Sequence, residues 1–187
     1  MAILYGIKKA VITELDVTSG AVKEGGLVAE IKTAEEASLS PVFSNGDEEI
    51  LRNDTNILAV VRTDDLLYGY DIKFKDNEFS LGVAQLLGGY KVSTDENGDV
   101  IETPMLEDGA TAKPFRLDLY VANYEGDAII NYAKITLNKC FGKFPEMKIG
   151  KEFFAPEFQV KARENSAAKL PIKSISFVNE LPVVEQN

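Results

Sequence analysis

A mainly β fold built from antiparallel strands, with one short flanking α-helix, is what this sequence predicts, on three observations. Apolar and polar residues alternate with period two in several separate runs, which is the signature of half-buried strands. Only one segment repeats its apolar residues at helical spacing. Turn signals rich in Gly, Asn and Asp separate the runs. At 187 residues the chain is long enough to bury a sizeable core, and with no repeat, low-complexity tract or linker it parses as a single domain, 1–187, with projecting loops.

In chain order, Ile3, Tyr5, Ile7 and Val11 form a loose first alternation. From Phe43 to Asn56 runs a polar stretch, Ser44-Asn45-Gly46-Asp47-Glu48-Glu49-Ile50-Leu51-Arg52-Asn53-Asp54-Thr55, too long for a plain hairpin turn; it reads as a long loop at about 44–55. Tyr68, Tyr70, Ile72 and Phe74 then alternate with Gly69, Asp71, Lys73 and Lys75, the clearest strand in the chain. The helix is expected over residues 78–87, with Leu81, Ala84 and Leu87 on its packing stripe and Val83 and Leu86 beside it. Asp76 or Asn77 is placed to cap its start and Gly88-Gly89 to end it. Asn97-Gly98, within Asp95-Glu96-Asn97-Gly98-Asp99, is the dipeptide of a tight type I′ hairpin. Phe115, Leu117, Leu119 and Val121 define another strand, and residues 129–139, 154–162 and 172–178 complete the series, with Pro156 tolerable only at an edge or bulge. About six to nine strands are expected from these runs.

Composition excludes much chemistry. The absence of histidine removes the usual general base and the commonest metal ligand. One cysteine, Cys140, allows no intrachain disulfide and no thiolate-clustered zinc site, and reads as a small half-buried apolar side chain. Gly25-Gly26 and Gly88-Gly89 lack any phosphate-cradling context. The acidic pairs Glu35-Glu36, Glu48-Glu49 and Asp64-Asp65 point to opposite faces of a strand or lie solvated in loops, where carboxylates keep ordinary pKa values. No catalytic, cofactor-binding or metal-binding residues are assigned, and no cofactor is expected. No apolar run approaches the roughly 18 residues of a membrane span, so a soluble, cytosolically made protein is expected.

Charge is unevenly distributed. The net value is −10, yet residues 1–133 hold 11 basic and 24 acidic side chains while residues 134–173 hold 9 and 4. Such asymmetry lets copies attract head to tail, and an acidic surface repels phosphate, which argues against nucleic-acid binding. Strand edges carry spare backbone donors and acceptors that a monomer must mask. Lys73, Lys75, Lys161 and Lys173 are candidates for that masking, unless the edges pair with neighbouring copies.

Several stretches resemble the tail tube (major tail) proteins of tailed bacteriophages that infect Gram-positive hosts, or of related phage-tail-like particles. They are Leu4-Tyr5-Gly6-Ile7-Lys8-Lys9-Ala10; Leu67 to Asn77 with the short helix and Leu87-Gly88-Gly89; and Phe153 to Arg163 followed by Pro171-Ile172-Lys173-Ser174-Ile175-Ser176-Phe177. The similarity runs in order through most of the chain. It implies a β-sandwich or barrel subunit without enzymatic activity, assembled as hexameric rings that stack into a hollow tail tube. Strands of neighbouring subunits would join into a continuous inner barrel, and the long loop would reach the adjacent ring. Asn45, Asp47, Glu48, Glu49, Arg52 and Asp54 are then the candidate inter-ring residues. The implied partners are further copies of the chain, a tape measure protein inside the tube, a sheath if the tail is contractile, and baseplate and terminator proteins at the ends. DNA would pass without specific binding, no membrane is involved, and the protein would be assembled in the bacterial host cytoplasm into the virion tail. Two other readings stand beside this one: a stand-alone β-sandwich binding module for carbohydrate or a protein ligand, which the lack of tryptophan disfavours, and a carboxylate-dependent enzyme, which needs two acids converging in a pocket.

Overall fold

The computed structural model describes residues 3–31, 34–76, 80–96, 98–105, 107, 113–143 and 157–184. Among these, twelve strands and one helix occur in the order β1 (Ile3–Glu14), β2 (Val28–Ile31), β3 (Ala34–Ser44), β4 (Glu48–Arg52), β5 (Ile57–Arg62), β6 (Leu66–Asp76), α1 (Leu81–Gly88), β7 (Lys91–Asp95), β8 (Gly98–Glu102), β9 (Phe115–Glu125), β10 (Ala128–Gly142), β11 (Glu157–Arg163) and β12 (Lys173–Val178). The fold is mainly β, wholly antiparallel in its pairing, with one short helix, as the alternation predicts.

Eight strands form one sheet in the order β2-β1-β9-β10-β11-β6-β3, with β12 added to β10; β4-β5 and β7-β8 are separate two-stranded ribbons. The predicted sandwich or barrel is thus realised as a single curved sheet. β3 returns beside β1 without forming a ladder among the described residues, so no closed barrel results. Pro41 sits within β3, which pairs only with β6; such an edge position tolerates the lost backbone donor. In the β7-β8 ribbon Asp95 pairs with Gly98, as a tight hairpin requires; Asn97 and Pro156 lie outside the described residues.

One face of the sheet holds the core. Ile12, Leu117, Leu137, Cys140, Phe115, Ile72, Phe74, Phe158 and Val160 are buried there, and Phe74 stacks on Phe158 at 5.1 Å between centroids. Helix α1 covers this face with Val83, Ala84, Leu86 and Leu87 fully buried. Burying each of the larger aliphatic side chains contributes about 2 kcal/mol. Leu81, expected on the packing stripe, is only half-buried, and Val83 and Leu86 take its place because the helix starts later than the spacing suggested. Ser80 holds the N-cap position with extended backbone and no side-chain cap bond; Asp76 closes β6 instead, and Asn77 lies outside the described residues. At the other end Gly89, not Gly88, takes the left-handed conformation (φ 66°), and its N–H donates to the Gln85 carbonyl.

Polar groups inside the fold are satisfied. Asn165, completely buried, donates from Nδ2 to the Gly20 carbonyl at 2.8 Å and accepts from Ala168 N–H, tying the β1-β2 and β11-β12 connections together. Glu14 accepts from Lys23 Nζ at 2.9 Å and from Leu27 N–H at 3.0 Å, with Lys113 3.4 Å away. Asp118 accepts from Thr136 Oγ1 at 2.6 Å and pairs with Arg116 and Lys134. Cys140 is entirely buried, deeper than expected, and burial pushes its thiol far up.

Candidate assembly surfaces

The segment expected to be a loop at 44–55 is a β-ribbon. The polar stretch supplies β4 and a turn at Asn53, whose Oδ1 accepts the Asn56 N–H at 2.9 Å; the apolar run Ile57-Leu58-Ala59-Val60-Val61 then returns as β5. That run directly behind an Asn-Asp turn is the hairpin signal, and it begins just past Thr55, where the polar stretch ends. The ribbon pairs Glu48 with Arg62, Glu49 with Val61, Ile50 with Val60 and Leu51 with Ala59. Every residue of both strands is exposed.

Paired residues share a face, so the arm carries Ile50, Val60 and Ile57 on one side and Leu51, Ala59 and Val61 on the other. Ile57, Leu51 and Val61 are each more than 60% exposed. A free two-stranded ribbon is at best marginally stable in water, and one apolar on both faces has more surface to cover than its own chain covers.

The arm's root is braced. Gly46 N–H donates to Asp65 Oδ1 at 2.8 Å, Asp47 N–H to Thr63 Oγ1 at 2.8 Å, and Thr63 N–H to the Asp47 carbonyl at 2.9 Å. Gly46 lies so close to the Thr63 carbonyl that any Cβ there would collide with backbone. Of the residues expected at the inter-ring contact, Asn45 and Asp47 lie at this root, Glu48, Glu49 and Arg52 on β4, and Asp54 in the tip turn; all six are exposed.

Behind the root, Arg163 stacks over the Tyr68 ring at 4.8 Å and lies 3.9 Å from Asp71. Lys73, Lys75 and Lys161 do not mask edges. They lie on β6 and β11, both paired on two sides; of the four lysines only Lys173 is on an edge strand.

A second exposed apolar region lies on β1, β9 and β10, at the same end of the strands as the arm's root. The first half of β1, expected to be half-buried, exposes Ile3, Leu4 and Tyr5, because the core face of the sheet is covered only from Ala10 onward. Tyr5 meets Tyr124 edge to face at 6.4 Å, and Ile129 and Ile130 project beside them. A shallow groove of about 210 Å³ on the sheet is lined by Ser38, Lys73, Phe74, Lys75 and Glu157. Among the described residues no three or more Cys, Asp or Glu side chains gather to hold a metal ion. No helix there is long and apolar enough to cross a membrane.

No family model matches the chain, and no curated protein matches it. Among solved structures it is similar to the tube-terminating cap of the anti-feeding prophage, determined by cryo-electron microscopy. Identity is 11%, 94% of each chain is covered, and the TM-score is 0.36. That neighbour comes from a phage-tail-like particle; a likeness this distant fixes neither role nor partner.

Proposed function

We propose that this chain is a non-enzymatic structural subunit that self-assembles into stacked hexameric rings forming the hollow tube of a phage tail or phage-tail-like particle. The arm carries this reading: a braced ribbon with exposed apolar side chains on both faces, uncovered among the described residues, needs other molecules to bury it. The open ladder at β12 and the exposed end around Tyr5 and Tyr124 support the same conclusion, as does the resemblance of the quoted stretches to tail tube proteins. Neighbouring sheets join around the lumen, and the arm reaches the adjacent ring through Asn45, Asp47, Glu48, Glu49, Arg52 and Asp54. A net charge of −10 suits a channel through which DNA passes without sticking, since binding DNA depends on cations that replace its counterions. Further copies, a tape measure protein, a sheath in a contractile tail, and baseplate and terminator proteins complete the set of partners.

Light scattering and negative-stain electron microscopy of the purified chain test the proposal. Rings or tubes of uniform diameter are expected. A strictly monomeric chain at high concentration, also in the presence of its tail components, would overturn it.

A further inference from the structure

The sheet divides at β10. β11 takes one part of its edge, through Cys140, Phe141 and Gly142, and β12 takes another, from Tyr132 to Leu137. β12 is held by β10 alone, and its second edge carries no ladder among the described residues. On β12, Ile175 and Phe177 pair with Ile135 and Ala133 and so share the face that elsewhere forms the core, yet they are 57% and 54% exposed. A strand with a free edge and an uncovered apolar row is a template for an added strand.

Its surroundings are basic. β10 carries Lys134 and Lys139 and no acid, and residues 157–178 hold four cations against two acids. The β4-β5 arm has the opposite sign: residues 45–65 hold six acids against Arg52 and Arg62. Among the described residues each of its strands also pairs only with the other, leaving both outer edges free, and β5 matches β12 in length at six residues. The chain's own arm leaves Ile175 and Phe177 uncovered.

We propose that the free edge and apolar row of β12 seat the β4-β5 arm of a second copy. The inference rests on the self-assembly reading and adds the receiving surface to it. Opposite charge steers the arm to β12, and one apolar face of the arm continues the row of Ile175 and Phe177 and flanks it from the side.

Charge at the seat provides the test, in the full chain, by sedimentation velocity. Ile175→Glu and Ile175→Lys both replace an exposed side chain, and matching melting temperatures check that each variant folds. Ile175→Glu should self-associate at least about tenfold more weakly than Ile175→Lys, and the difference should disappear when Glu48→Lys and Glu49→Lys are introduced and leave the arm with four acids against four cations. In an equal mixture, copies carrying Phe177→Cys should form disulfides with copies carrying Val61→Cys on β5; the buried Cys140 does not compete. If the wild type assembles but the two Ile175 variants associate equally, the seat is wrong and self-assembly stands. Disulfide formation with Ser93→Cys on β7 in place of Val61→Cys would overturn the seat in the same way. A monomeric wild type overturns both.

Discussion

Helix α1 and the β4-β5 arm are made of similar apolar residues and differ in who covers them. Val83, Leu86 and Leu87 are sealed by strands of their own chain, whereas Leu51, Ile57 and Val61 meet solvent on both sides of a two-stranded ribbon. On the proposed self-assembly reading, the difference separates folding from assembly. Damage under α1 should be felt by a single copy, and damage on the arm only by an association of copies.

Leu87→Asp should produce the largest effect, several kcal/mol of lost stability in urea unfolding, because it places a charge at a fully buried position. Asn165→Ala leaves the Gly20 carbonyl without its donor and should cost about 2 kcal/mol by the same measurement. Leu81→Asp, at a half-buried position, should cost about 1 kcal/mol; a loss equal to that of Leu87→Asp would erase the distinction between stripe and flank. On the arm, Glu48→Lys with Glu49→Lys should leave the melting temperature of the subunit nearly unchanged, shifting stability by less than about 0.5 kcal/mol, while shortening or abolishing tubes in micrographs. Unaltered tube length and yield would remove these two residues from the stacking contact.

The smallest effect concerns pH. Burial raises the Glu14 carboxyl, but the hydrogen bonds from Lys23 and Leu27 and the charges of Lys113 and Lys23 outweigh it, leaving the group below its ordinary value near 4.5. A depressed folded value means that ionised Glu14 stabilises the protein above that ordinary value and that this contribution is lost as the pH falls through the folded one. Glu14→Gln should therefore lower the urea midpoint at pH 7 and flatten its decline below about pH 4.5.

Much of the body is legible in the sequence. Residues 70–74 alternate because that part of β6 has one covered and one solvated face, and the periodicity reports that directly, whereas β9 is covered on both faces, with Asp118, Tyr120 and Ala122 buried as well as Leu117 and Leu119. The first half of β1 alternates too, but burial begins only near Ala10; periodicity identifies a strand without revealing how far the core extends beneath it. The arm escapes such a reading because β4 opens with Glu48-Glu49, and acidic residues are poor strand formers in isolation; pairing with an apolar strand overrides that preference. Edge lysines are equally hidden, since strand order depends on contacts between distant segments. Within the basic block, β11 and β12 both adjoin β10, although the lysines of these strands divide between the two faces.

The bracing at Gly46, Asp47, Thr63 and Asp65 also makes the ribbon a separable part. β3 and β6 already run antiparallel up to Ser44 and Leu66, so a tight turn joining them would replace residues 45–65 without disturbing the ladder below. If the arm is what joins copies, as proposed, the shortened chain would stay dispersed, and ribbons of other sequence could be transplanted onto the same pedestal to choose what it fastens to.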